Sequence, residues 1–167
     1  MQIRRFKPGE EMDLWKLFHD AVRHINTTDY TLEQLSAWSP DQVDCNKWRA
    51  RFRNVSPFVV EYEGKLIAYA DVNATGYVDH FYVHHLWQRR RVGTLLMQII
   101  HEVAKQDAID NLFADVSITA KPFFESWGFE VEREQYVEIR HTVLKNYRMA
   151  KPLKAIDARS ARNRPHS

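Results

Sequence analysis

Apolar residues recur along 92–103 at the spacing of one helix face: Val92, Leu95, Leu96, Ile99, Ile100 and Val103. That period predicts a helix over about 92–106 with this face buried. A second amphipathic stretch, over about 10–24, presents Leu14, Leu17, Phe18, Ala21, Val22 and Ile25 in the same way, and Pro8-Gly9 separates it from a short strand over 3–6. Thr31-Leu32-Glu33-Gln34 has the form of a capping box and opens a short helix that Trp38-Ser39-Pro40 closes. A third helical piece over about 44–53 carries Trp48 and Phe52, and Pro57 marks the change to strands.

The period then shortens. Aromatic and β-branched runs over 58–62, 66–72 and 77–83 are separated by Glu63-Gly64-Lys65 and by Asn73-Ala74-Thr75-Gly76, connections that suit hairpins. The three runs are expected to form an antiparallel meander. After the long helix come a buried strand over 112–116 and a short helix with Pro122 in its first turn and Gly128 at its end. Strands over 129–133, 135–142 and 146–149 follow. This order describes an α/β (α+β) domain built on a mixed, mostly antiparallel central sheet flanked by helices.

Length and charge narrow the classes of function. A chain of 167 residues, 44% of them hydrophobic, is sized for one domain with a substantial core, expected over 1–150. The last seventeen residues, 151–167, hold five Lys or Arg against Asp157 and read as a basic, disordered tail. Without them the 24 basic and 22 acidic residues become 19 and 21, so the body lacks the broad positive field of a nucleic-acid-binding domain. Met1 to Lys7 is too charged for the apolar part of a secretory signal, and no run approaches the roughly 18 apolar residues of a membrane span. Cys45 is the single cysteine, which precludes disulfides within the chain. A cytoplasmic protein without nucleic-acid or membrane partners is expected, as monomer or homodimer.

The segment from Tyr77 to Ile100 carries the chemistry: a strand ends in F-Y-V-H, a basic turn Q-R-R-R follows, and V-G-T-L-L opens the long helix. A helix start offers unpaired N–H groups at the positive end of its dipole, and anions bind there. Gln88, Arg89, Arg90 and Arg91 crowd that turn, and Gly93 leaves room for a ligand to approach the backbone. These residues resemble the coenzyme A site of the GCN5-related N-acetyltransferases, with the pattern Q/R-x-x-G-x-G/A. Gln88 and Gly93 fit it, and Arg91 stands where the first glycine usually is. A positive φ there would cost a non-Gly residue about 1 kcal/mol or more. Downstream, V-S-I-T-A-K-P-F-F-E-S-W-G-F resembles the family's later segment N-x-x-A-x-x-F-Y-E-x-x-G-F: Ser117 replaces Asn, while Ala120, Phe123 and Gly128-Phe129 match. The pair H-D-A-V-R-H-I-N and S-I-T-A-K-P-F-F-E is similar to the YafP-type bacterial subgroup.

The resemblance implies an acetyl-CoA-dependent N-acetyltransferase that moves an acetyl group to a primary amine by direct attack in a ternary complex. It implies a cosubstrate site of Phe81, Tyr82, Val83, the turn from Gln88 through Val92 to Thr94, Ser117, Phe123 and Phe124, with Phe81 to Val83 acting through main-chain groups. Asp79 lies where an acidic residue often takes the amine proton; Glu61, Tyr69 and Asp71 are alternatives. Phe124 replaces the usual acid tyrosine, which leaves Tyr82, Tyr136 or water to protonate the thiolate. His19, His24, Asn26, Tyr30 and Trp38 surround the first helices, where an acceptor amine would bind. His80, His84 and His85 lack matched carboxylate or cysteine spacing, so no metal is expected. His101-Glu102 likewise lacks the second histidine of a zinc-protease helix. The competing reading is a coenzyme A-binding module with little or no catalysis.

Overall fold

A computed structural model describes residues 1–153. The strands are β1 (Gln2–Arg5), β2 (Phe58–Tyr62), β3 (Lys65–Ala70), β4 (Tyr77–Val78), β5 (Phe81–Val83), β6 (Asn111–Ser117), β7 (Glu130–Ile139) and β8 (Thr142–Pro152). The helices are α1 (Glu11–Ile25), α2 (Leu32–Trp38), α3 (Cys45–Ala50), α4 (Val92–Gln106) and α5 (Lys121–Ser126), with a 3-10 turn at His85–Trp87. Local chemistry sets several ends: at α2, Gln34 N–H donates to Thr31 Oγ1 while Thr31 N–H donates to Gln34 Oε1, the expected capping box. Pro122 lies in the first turn of α5, and Gly128 follows that helix at φ +86°.

One four-stranded sheet runs β1-β2-β3-β5, antiparallel throughout. A second runs β4-β6-β8-β7, in which β4 and β6 are parallel and the other pairs antiparallel. The meander is therefore real for β2, β3 and β5 but not for the whole run 77–83. Its first two residues leave to pair with β6, and the chain breaks at Asp79-His80. Asp71 makes the break tolerable: its Oδ1 accepts the N–H groups of Asp79 (2.9 Å) and His80 (3.1 Å) that a continuous ladder would have used. β7 is one strand rather than two, with an irregular register between Val131 and Arg133. β8 runs on through Lys151 and Pro152, so the body extends past 150; the expected disordered tail lies, from 154 on, outside the described residues.

Alternation along the strands feeds two cores. Val60 faces one side, with Leu96, Met97 and Ile100 of α4; Val59 faces the other, with Leu14, Leu17 and Phe18 of α1 and Trp48 of α3. Side chains of this size contribute on the order of 2 kcal/mol each on burial. Helices thus cover both faces of the sheet. Among the described residues no helix is long and apolar enough to cross a membrane.

Candidate active site

β5 ends its sheet and β4 departs to β6, so the edges of β5 and β6 diverge. A cavity of about 500 Å³ fills the wedge, walled by β5, the turn before α4, the end of β6 and α5. The edge of β5 facing it has no neighbouring strand, which leaves main-chain groups for a ligand. At the floor, α4 begins without a side-chain cap. Leu95 N–H is the first to bond back into the helix, to Arg91 O at 3.2 Å, so the N–H groups of Val92, Gly93 and Thr94 carry the helix's positive end.

Arg91 stands at φ +63°, ψ +14°, in the left-handed region, and Arg89 at φ +59°. The turn thus demands at Arg91 the conformation that favours glycine, and the arginine bears a backbone cost. Arg91→Gly is expected to raise stability by about 0.5–1 kcal/mol after allowance for the freer unfolded chain. A urea midpoint at or below that of wild type would mean that contacts of the arginine outweigh this cost. Gly93 has an ordinary helical backbone; its role is one of space, since a Cβ there would lie 3.2 Å from Phe123 Cζ and 3.8 Å from Phe81 Cε1.

The cosubstrate residues named from the sequence line this cavity with one exception. Arg90 is outside the lining: its guanidinium lies over the Trp87 ring, 5.1 Å from the centroid. Gln88 spends its Nε2–H on Val83 O at 3.0 Å and ties the turn to β5. Ser117 Oγ accepts Ala120 N–H at 3.0 Å and steadies the approach to α5. Phe124 is buried against Phe81, Phe123 and Phe129. Asn26, an acceptor candidate, lines this cavity instead.

A second cavity, about 460 Å³, opens on the other side of β5. Trp15, Phe18 and Trp48 form an aromatic wall, with Lys47 and Arg51 of the α3 region beside it. Tyr30 and Trp38 line it as expected, but His19 and His24 do not. His19 is held by Ser39 Oγ at 2.6 Å and stacks on Trp15; His24 bonds Asp20 O at 2.8 Å and stacks on His85. Both are occupied in joining α1 to its neighbours. The Tyr30 hydroxyl donates to Lys145 O and accepts Ile118 N–H, so it braces β8 against the loop after β6.

The two cavities share Trp38, Asp79, Tyr82, Asp115 and Ser117. Burial pushes the Tyr82 phenol up, the Asp79 charge adds to this and a hydrogen bond from Trp38 opposes it, so the hydroxyl keeps its proton at ordinary pH. Burial alone would raise the Asp115 carboxyl, but hydrogen bonds from Arg148, Gln135 and Tyr77 outweigh it and hold the group low. Asp115 is committed to that network. Of the other candidate bases, Glu61 is paired with Arg4 at 2.8 Å, and Tyr69 is fully buried with no partner for its hydroxyl among the described residues. Tyr136 is exposed on β7 and lines neither cavity.

Sequence reasoning missed what Asp71 and His80 do together. His80 Nδ1 lies 2.6 Å from Asp71 Oδ2, and the ring is buried at the wall of the second cavity. Ligand atoms of Asp71, Asp79 and His80 fall within 4.8 Å of one another. Asp71 Oδ1 accepts two backbone N–H groups and Oδ2 faces the His80 ring, so the carboxylate is engaged on both oxygens. The clue in the sequence was the hairpin itself, because pairing Ala70 with Phe81 puts Asp71 opposite His80.

Fold and site together are those of an acetyltransferase. A family model described as an acetyltransferase (GNAT) domain matches residues 26–151, and the chain belongs to this family of N-acetyltransferases. It is 30% identical over 149 residues to the "Uncharacterized N-acetyltransferase YafP" of Escherichia coli (strain K12), covering 89% of this chain and 94% of that one. A GCN5-related N-acetyltransferase structure from Rhodopseudomonas palustris superposes with TM-score 0.86 at 26% identity, over 91% of this chain and 95% of that one. At 19% identity, the structure of yncA from Salmonella typhimurium with acetyl-CoA shares the fold, with TM-score 0.68 over 92% and 94% of the two chains.

Proposed function

We propose that the chain transfers the acetyl group of acetyl-CoA to a primary amine by direct attack while both are bound. The observation that carries this reading is the meeting of two cavities at Asp79 and Tyr82, one floored by an anion-binding helix start and the other walled by aromatic rings. The N–H groups of Val92, Gly93 and Thr94, with Arg89 and Arg91, would hold the pyrophosphate. The free edge of β5 would guide the pantetheine arm and place the thioester at the junction. The yncA structure cited above was solved with acetyl-CoA, and one from Thermoplasma acidophilum of like fold with coenzyme A, which supports the same donor here.

Asp79, whose side chain is 60% exposed, would face the incoming ammonium, and Tyr82 would return a proton to the departing thiolate. A thiol near pKa 8.5 is a tolerable leaving group, so Phe124 without a hydroxyl does not bar the reaction. Cys45 lines neither cavity, which favours direct transfer over an acetyl-enzyme.

Calorimetric titration with acetyl-CoA, followed by thiol release against a panel of amines and peptides, tests the reading. Saturable binding with amine-dependent thiol release is expected. Binding without release would leave a coenzyme A-binding module, and absence of binding would remove the proposal altogether.

A further inference from the structure

We propose that His80, oriented by Asp71, is the base that takes the proton from the acceptor ammonium; this deepens the proposed function and rests on it. Asp71 follows β3 directly and His80 precedes β5, and Asp71 N–H donates to His80 O at 3.1 Å across the pair. An ionised carboxylate can only accept, so the Nδ1 it faces at 2.6 Å carries the hydrogen. In the neutral ring Nε2 is then left with its lone pair. Nε2 has no hydrogen-bond partner among the described residues, yet it is absent from the sealed, unpartnered atoms, which are Tyr69 Oη and His85 Nδ1. His80 lines the second cavity and Asp71 does not; with Nδ1 turned to Asp71, the unsealed Nε2 is the ring nitrogen left to face that cavity.

The ring is held in place by Trp48, Phe52, Tyr69 and Tyr82, with centroids 5.6–6.4 Å away. The charged and titratable groups nearest it are Asp71, Asp79, Tyr69 and Tyr82, and the same cavity is also lined by Arg51, Lys47, Asp44, Asp115, Arg140 and Tyr30. Carboxylates as a class titrate near 4 and imidazoles near 6.5, and a proton leaving an ammonium near 10 passes more readily to the latter. Asp79, solvated at the rim, is suited to holding the ammonium by its charge.

The step balances. R–NH3⁺ gives one proton to His80 Nε2, and the freed nitrogen lone pair attacks the thioester carbonyl. The tetrahedral oxyanion collapses with cleavage of the C–S bond. Tyr82 gives its hydroxyl proton to the thiolate and regains one from the new amide nitrogen, and the imidazolium proton is lost to water. The products are R–NH–CO–CH3, CoA–SH and H⁺.

The test joins ¹⁵N NMR of histidine-labelled protein with the kinetics of His80→Gln and Asp71→Asn. The expected spectrum shows neutral His80 as the Nδ1–H tautomer; an Nε2–H tautomer would overturn the assignment, with no substrate needed. His80→Gln is expected to lower kcat about a hundredfold or more, to keep acetyl-CoA affinity within about twofold, and to lose the acid limb of the pH profile. Asp71→Asn, as the positioning variant, is expected to switch the tautomer and lose kcat with KM little changed. Should either variant fail to fold, the wild-type spectrum still decides. Wild-type turnover matched by His80→Gln would overturn the base alone. A wild-type protein that neither binds acetyl-CoA nor releases thiol would overturn the proposed function, and the base with it.

Discussion

Gly93→Glu is expected to weaken acetyl-CoA binding on the order of a hundredfold, the equivalent of one or two lost charge-assisted hydrogen bonds. The new carboxylate would stand in the first turn of α4, where the N–H groups of Val92, Gly93 and Thr94 meet the cavity, and would occupy the anion site itself. Its charge does not endanger the helix, because a negative group near a helix start stabilises it by about 0.3–1 kcal/mol. Its bulk meets Phe123, whose Cζ would lie 3.2 Å from the new Cβ. Gly93→Gln separates the two effects: it brings the same volume without the charge and is expected to lose about tenfold, since overpacking costs typically 1–3 kcal/mol. Calorimetry on both variants, with circular dichroism to confirm folding, checks this. Undiminished affinity in Gly93→Glu would mean that the pyrophosphate lies elsewhere.

What could be read in the sequence was what local physics decides. The span of α4 and the Thr31–Gln34 capping box depend on residues a few positions apart, and both stand where their patterns put them, although the buried face of α4 is Val92, Leu96, Met97, Ile100 and Ala104, with Leu95 exposed and Ile99 and Val103 only partly covered. So does the arginine-rich turn before α4, because an arginine cluster before a helix start is itself a local feature. The split between β4 and β5 was not legible. Strand period 2 is the same whichever neighbour a residue pairs with, and the partner of Tyr77-Val78 is Phe113-Ala114, far along the chain. The β7–β8 hairpin hid for a related reason: its turn takes positive φ at Arg140 and His141, residues that carry none of the usual glycine or asparagine signal. His80 was grouped with His84 and His85 by closeness in sequence. The fold turns it inward instead, and the carboxylate that defines its chemistry lies across the hairpin.

The same split makes Gly76 the position where a single methyl group should do most damage. Gly76 is at φ +93°, and a Cβ built on it would fall 1.8 Å from Asn111 O and 2.9 Å from Ile109 Cγ2. Neither can yield cheaply, because Asn111 begins β6 and Phe113 N–H donates to Gly76 O at 3.0 Å. Gly76→Ala must therefore push β4 away from β6, and the cost combines a left-handed backbone penalty of about 1 kcal/mol with the loss of this strand contact. A total on the order of 3 kcal/mol or more is expected. Gly64→Ala is the control: its φ is +76°, and its Cβ would meet nothing within 4 Å, so it carries the backbone penalty alone. Urea unfolding of the two variants reads the difference, and equal midpoints would mean that the close approach of β4 to β6 is not maintained in solution. The site should report the same event. β4 leads directly into Asp79 and His80, so a displaced β4 in Gly76→Ala should disturb the junction of the two cavities and lower turnover well below that of Gly64→Ala under conditions where both remain folded.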